Sequence, residues 1–369
     1  MATRRELLEA ETYVRHRLVH ALAPGTEDRS ARPLLGGVVL VLLLVVAVIL
    51  RGALSPRAPT GGEGPGLLIV RETGERFLVT ERGGPLRPVL NVTSAQLVLG
   101  AHLIPAVVPA SALAGRDRGP QVGIVGAPQR LPTADGLLAS GWSACTADGS
   151  GVAFALARSP AVVTEPGRGA VVTVDGRRTW VVAEDAAGYA GRYRVPMPGR
   201  SEALLVAVGL PPVTQAVRVP AAWLALLPVA GRLGPATWVR AHWSATTLRP
   251  LAAPICAELV TGASAPPYVR LGTLPPGTAW TAPAPGEVTR TAAPGSGALV
   301  SGGSRTWIVD DRAVASPLMD QQTVGALGFG DVAAPEVPEA WLGLLGTGVP
   351  LSRDLALRPT DPGRSSDDD

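Results

Sequence analysis

Side chains able to do chemistry are few in this chain and far apart. Cys145 and Cys256 are the only thiols, and two of the four histidines, His102 and His242, lie in the same part of the sequence. Thiols and imidazoles together could hold a metal ion, but neither histidine sits at ligand spacing from a cysteine, so no metal site is expected. No nucleophile stands beside a candidate base. His102 lies in the apolar run Gly100-Ala101-His102-Leu103-Ile104, and His242 lies between Trp238 and Trp243; both read as structural residues. Asp310-Asp311 follows a strand-like run and reads as a solvated turn. The glycines of Gly123-Ile124-Val125-Gly126-Ala127-Pro128 do not form the Gly-x-Gly-x-x-Gly of a dinucleotide site. Every one of the 33 basic residues is Arg. Without Lys there is no phosphate-loop lysine and no amine to form a Schiff base. The expectation is therefore a protein with no catalytic residue, no cofactor and no metal.

What remains for the cysteines depends on the compartment, and the apolar run Leu34 to Leu50 bears on that. It carries no charge and no hydrogen-bonding side chain. As a helix it would cover roughly 26 Å, and Gly52 to Leu54 complete a bilayer span if Arg51 snorkels to the interface. The span therefore predicts a single-pass membrane protein. A cleaved signal peptide fits less well, because the run starts late and no small-x-small site follows it. Arg15, Arg17, Arg29 and Arg32 precede the span, against Arg51 and Arg57 after it, which places the N-terminus in the cytoplasm. Residues 1–33 begin with the capping box Thr3-Arg4-Arg5-Glu6. Leu7, Val14, Leu18 and Leu22 follow at helical spacing, so this cytoplasmic segment reads as an amphipathic helix. Both cysteines then lie on the exported side, where a Cys145–Cys256 disulfide is the expected state and a pair of buried free thiols the alternative. Closing so long a loop would stabilise by roughly 4–5 kcal/mol on the chain-entropy model.

The elements that must carry these residues are short. Gly (44) and Pro (36) are abundant and aromatics are sparse, which favours many strands joined by tight turns over long helices. After a Gly- and Pro-rich linker over 55–66, residues 67–358 read as an exported, β-rich mixed β/α domain built of repeated units around a central β core. One repeated element is a glycine turn feeding a strand. It occurs as Gly74-Glu75-Arg76-Phe77, Gly176-Arg177-Arg178-Thr179-Trp180 and Gly303-Ser304-Arg305-Thr306-Trp307. A second is Val219-Pro220-Ala221-Ala222-Trp223-Leu224, matched by Val337-Pro338-Glu339-Ala340-Trp341-Leu342 and, with Ala112 in place of Trp, by Val108 to Leu113. Pro at the first helical position and Trp on the inner face would suit each copy. Trp180, Trp307, Trp223 and Trp341 are thus expected as core anchors of the repeats. Thr237 to Trp280 reads as a further, diverged unit, and 359–369 as a disordered tail. The net charge of +3 comes from scattered residues and leaves no nucleic-acid footprint.

Several stretches resemble one family. Met1-Ala2-Thr3-Arg4-Arg5, Tyr13-Val14-Arg15-His16-Arg17-Leu18, Pro88 to Ala95, Arg118 to Pro128, Trp142 with Cys145, and Gly348 to Leu357 occur in an order similar to that of EccB, a membrane component of type VII (ESX) secretion systems of actinobacteria. The resemblance implies a scaffold in a channel complex, homo-oligomeric, beside the EccC ATPase, EccD, EccE and the mycosin protease. A membrane-anchored module that binds cell-wall polymer or another envelope ligand is the alternative, since repeats suit both roles.

Overall fold

The computed structural model describes residues 64–360, apart from 102, 159–161, 165, 175, 197–200, 242, 244–247 and 263–264. The cytoplasmic segment, the span 34–54, His102, His242 and the tail beyond Thr360 lie outside the described residues. Among the described residues no helix is long and apolar enough to cross a membrane.

Glycine turns and short apolar runs give strands, as expected, and these form four mixed sheets. In the first, β1 (Gly66–Val70), β2 (Arg76–Val79) and β3 (Arg87–Pro88) make an antiparallel meander. Helix α1 (Val92–Leu99) follows, and β4 (Ala106–Val108) returns parallel to β1. A 3-10 turn over Ala110–Leu113 then leads back along the third strand through the parallel bridges Leu86–Arg118 and Val89–Val122. The chain next lays down β5 (Trp142–Thr146), β6 (Val152–Leu156) and β7 (Val163–Thr164) before entering the second sheet.

There β8 (Arg168–Val174), β9 (Arg178–Glu184) and β10 (Ala190–Arg194) repeat the meander. Helix α2 (Ser201–Ala207) precedes β11 (Val217–Arg218), parallel to β8; α3 (Ala221–Ala225) precedes β12 (Val229–Arg232), parallel to β10. Helix α4 (Pro235–Ala241) and β13 (Arg249–Pro250) close this segment. Strands β14 (Ile255–Val260), β15 (Tyr268–Thr273) and β16 (Val288–Ala292) then join β5, β6 and β7 in a central six-stranded sheet of order β16-β6-β5-β14-β15-β7. Thr237 to Trp280 is therefore not a further unit of the meander kind, because its strands complete a sheet begun a hundred residues earlier. The third sheet follows the earlier order once more. Its meander is β17 (Ala298–Gly302), β18 (Arg305–Val309) and β19 (Val314–Leu318). Then come α5 (Gln321–Ala326), a parallel bridge Ser301–Glu336, α6 (Glu339–Leu342), β20 (Gly346–Thr347) parallel to β19, and α7 (Arg353–Leu357).

Local chemistry accounts for the element ends. Asn91, Asp320 and Ser352 cap α1, α5 and α7 by accepting from the backbone N–H three residues on. Gly209 and Gly328, with φ of 83° and 81°, take the left-handed conformation that lets the chain leave α2 and α5. Pro220 and Pro338 sit one position earlier than expected. They are the N-cap residues of α3 and α6, in an extended conformation, and a cap needs no donor of its own. Pro109 holds the same place before the first 3-10 turn, which buries no side chain.

Two cores join the sheets. Leu67, Leu78, Val98, Leu299, Ile308 and Leu327 belong to one that unites the first and third sheets, where Gln96 of α1 also donates to the carbonyl of Leu327. The other core unites the central sheet with the second and third sheets. Pro359 and Thr360, the first residues of the expected tail, are held beside Gln121 and Val122, Thr360 through a 2.9 Å backbone hydrogen bond.

Candidate functional site

The residues singled out in the sequence converge on the central sheet. Cys145 of β5 and Cys256 of β14 are register partners on adjacent antiparallel strands, 4.0 Å apart at Cα, and are joined as a disulfide across 111 residues. Both are buried, so the bond is shielded from reductants and neither sulfur is available as nucleophile or ligand.

Trp223 lies next to this cystine. Helix α3 buries it completely, and its indole Nε1–H donates to the carbonyl of Ala144, one residue before Cys145, at 2.8 Å. Trp341 of α6 is equally buried in the same core, but its Nε1 has no partner. Trp180 and Trp307 differ from expectation. Both are half-buried and pack on the margin of that core, because each stands near the start of a strand, just past an exposed turn. Trp180 is roofed by Arg192, whose guanidinium carbon is 5.6 Å from the ring centroid. The largest aromatic inside the central sheet is Trp142, edge-on to Phe154 at 5.8 Å. The resemblance named Trp142, but the repeat pattern gave it no role.

One buried carboxylate escaped the sequence reading. Glu184 ends β9, yet its side chain is only 1% exposed. One carboxylate oxygen accepts from the backbone N–H of Leu271 in β15 at 2.7 Å, and the other has no partner. Its main-chain carbonyl accepts from the indole of Trp243. Glu184 thereby fastens the second sheet to the central one. Burial pushes its pKa up, against the lowering effect of the Leu271 N–H. No local signal in Ala183-Glu184-Asp185-Ala186 marks Glu184 as buried. Asp310 is also buried, and there the demand is met within the turn: it accepts from the N–H groups of Arg312 and Val314 and pairs with the Arg312 guanidinium at 2.8 Å.

These residues make a structural junction. Among the described residues no group of histidine, cysteine and carboxylate side chains could hold a metal ion. Glu184 is sealed from substrate, and Asp310 is consumed by its own turn. The arrangement holds sheets together.

The family model for "Type VII secretion system ESX-1, transport TM domain B" matches residues 1–255. This chain belongs to the EccB family. It is 30% identical over 193 residues to the ESX-1 secretion system ATPase EccB1 of Mycolicibacterium smegmatis, a match covering 49% of this chain and 38% of that protein. It is 28% identical over 184 residues to the ESX-3 secretion system ATPase EccB3 of Mycobacterium tuberculosis, covering 44% and 33%. The chain thus spans less than half the length of the curated EccB relatives it matches. The EccB fold is shared more widely. A chain of an intact ESX-5 inner membrane complex aligns with a TM-score of 0.60 at 21% identity, covering 99% of this chain and 97% of that one. The EccB3 dimer from the ESX-3 core complex aligns with a TM-score of 0.59 at 20% identity, covering 79% and 100%.

Proposed function

We propose that this chain is a structural component of a type VII secretion complex in the cell membrane. Its residues 34–54 cross the bilayer, and residues 67–358 scaffold the channel from the extracytoplasmic side. The observation that carries this reading is the fold, which runs over almost the whole chain of a subunit of an ESX inner membrane complex. The similar order of elements in the first, second and third sheets supports the reading of repeated units around a central core. Each sheet leaves part of its apolar surface for a neighbour to cover, as stacked units do. The membrane partners proposed are EccC, EccD, EccE and the mycosin protease, with further copies of this chain.

The curated relatives bear the name ATPase. For this chain we favour a role without nucleotide hydrolysis, since a lysine-free sequence offers no phosphate-loop lysine and the buried acids are committed to packing. Affinity purification of the tagged chain from mild detergent tests the proposal. Recovery with a multi-pass protein and a large ATPase is expected. Recovery alone, together with retention on cell-wall polymer, would replace the scaffold with a wall-binding module. ATP turnover by the purified chain that disappears on substitution of its own residues would overturn the non-enzymatic reading. A reporter fused after Asp369 should be active only outside the cytoplasm, and one fused at Met1 should behave as cytoplasmic.

A further inference from the structure

One end of the second sheet concentrates positive charge. Arg177 and Arg178 follow the Gly176 turn, Arg194 ends β10 and Arg232 ends β12. Arg194 and Arg232 are register partners on parallel strands. Arg194 also stands opposite Trp180, which shares a sheet face with Arg178 two residues away. Three guanidinium groups from three adjacent strands therefore project from one face. With Arg177 they line a cleft of about 540 Å³. No carboxylate among the described residues lines that cleft, and the ion pairs Arg218–Asp148 and Arg312–Asp310 lie elsewhere. Ser201 also lines it and is 6% exposed.

The fold does not require this cluster. In the third sheet the matching turn is Gly303-Ser304-Arg305, and the residue opposite Trp307 is Pro317. In the first sheet the turn is Gly74-Glu75-Arg76, and the residue opposite Phe77 is Pro88. One arginine per turn is common to all three; Arg177, Arg194 and Arg232 are additions. Like charges on directly paired strand positions repel, so the additions work against the sheet unless an anion lies between them.

We propose that this cleft binds a phosphoryl group, either of a soluble phosphate compound or of a lipid headgroup. Guanidinium forks match the oxygens of phosphate, and a tetrahedral anion offers oxygens toward three strands at once where a planar carboxylate offers two. Ser201, which lines the cleft, adds a neutral hydroxyl.

The test uses the full chain in neutral detergent at low salt. Calorimetric titration with pyrophosphate should show saturable binding that weakens as salt is added. The double variant R194Q/R232Q should bind at least about tenfold more weakly, given what charge-assisted hydrogen bonds contribute. All four arginines are exposed and the paired ones repel, so without ligand the variant should unfold at a midpoint no lower than the parent's. R305Q, at the equivalent turn of the third sheet, should bind as the parent does. In a parallel arm, mixed micelles containing phosphatidylglycerol are compared with phosphatidylcholine micelles. Arginine-dependent preference for phosphatidylglycerol without pyrophosphate binding assigns the site to a headgroup, and the converse assigns it to a soluble phosphate. The proposal is overturned if neither probe binds, if R194Q/R232Q binds like the parent, or if R305Q loses as much.

Discussion

Trp223 and Trp341 offer a matched pair in which nearly everything but one hydrogen bond is equal. Both are fully buried in one core, and both follow a proline N-cap on a short helix. Trp223 donates to Ala144, whereas the Trp341 indole nitrogen is buried without a partner. Replacing either with Phe removes a similar volume, so the packing loss should be similar at the two sites. Trp223→Phe also removes the indole hydrogen bond to a buried carbonyl, a loss of about 0.5–1.5 kcal/mol. Trp341→Phe removes a polar N–H that was buried unpaired, which offsets part of its packing loss. We therefore expect Trp223→Phe to be the more destabilising change by about 2 kcal/mol, within a context-dependent factor of two. Guanidinium unfolding of residues 64–369, followed by far-UV circular dichroism, reads this difference without relying on the altered fluorophores. Equal losses, or a larger loss at Trp341, would refute the assignment of the Ala144 hydrogen bond as the feature separating the two sites.

Glu184 should make stability depend on pH. Its raised folded-state pKa means the folded protein binds the proton more tightly than the unfolded chain. Its contribution is thus fully present below the ordinary glutamate pKa of about 4.3 and is lost as pH rises through the folded value. Glu184→Gln, which still accepts from Leu271, should abolish that part of the profile and leave the protein no less stable at neutral pH. A variant profile parallel to the parent's would contradict this. Half-buried Glu258 shifts the same way, mainly through desolvation, so some dependence should persist in the variant. Reduction of Cys145–Cys256, or Cys145→Ala with Cys256→Ala, should cost about 2–5 kcal/mol in the same unfolding assay, and non-reducing mass spectrometry should recover one peptide pair joined through them. The Arg218–Asp148 pair, though held by three hydrogen bonds, is exposed to solvent, so Asp148→Asn should shift the midpoint little.

How much of this was legible depends on how local the cause is. Gly176 to Trp180 and Gly303 to Trp307 announce turn-then-strand because glycine and the residues after it act within a few positions. The Pro-x-x-Trp-Leu runs announce short helices for the same reason, although the proline proves to be the cap. The half-burial of Trp180 and Trp307 was not legible, since it depends on where a strand begins relative to a core assembled elsewhere. Nor was the central sheet, whose strands come from two stretches that carry no shared pattern. Glu184 is the clearest case. Its burial is decided by β15, which arrives more than eighty residues later, and nothing near it in the chain records that meeting. Two cysteines leave a single pairing to consider, and the structure joins them directly across β5 and β14.

The central sheet is begun before the second sheet and finished after it. Strands β5 to β7 must therefore wait, unpaired on one side, until everything from Arg168 to Pro250 has been laid down. During that interval β5 presents an open edge bearing a free thiol. A protein emerging N-terminus first in this nested order is exposed to strand-swapping and to cross-linking with its neighbours until β14 arrives. The intervening segment, by contrast, brackets its own meander and can reach a folded form before the sheet around it closes. Lengthening, shortening or exchanging that inner segment would change the delay but leave the final pairing of β5 with β14 intact. Variation among relatives would then be accommodated more readily inside the bracket than in either of its arms.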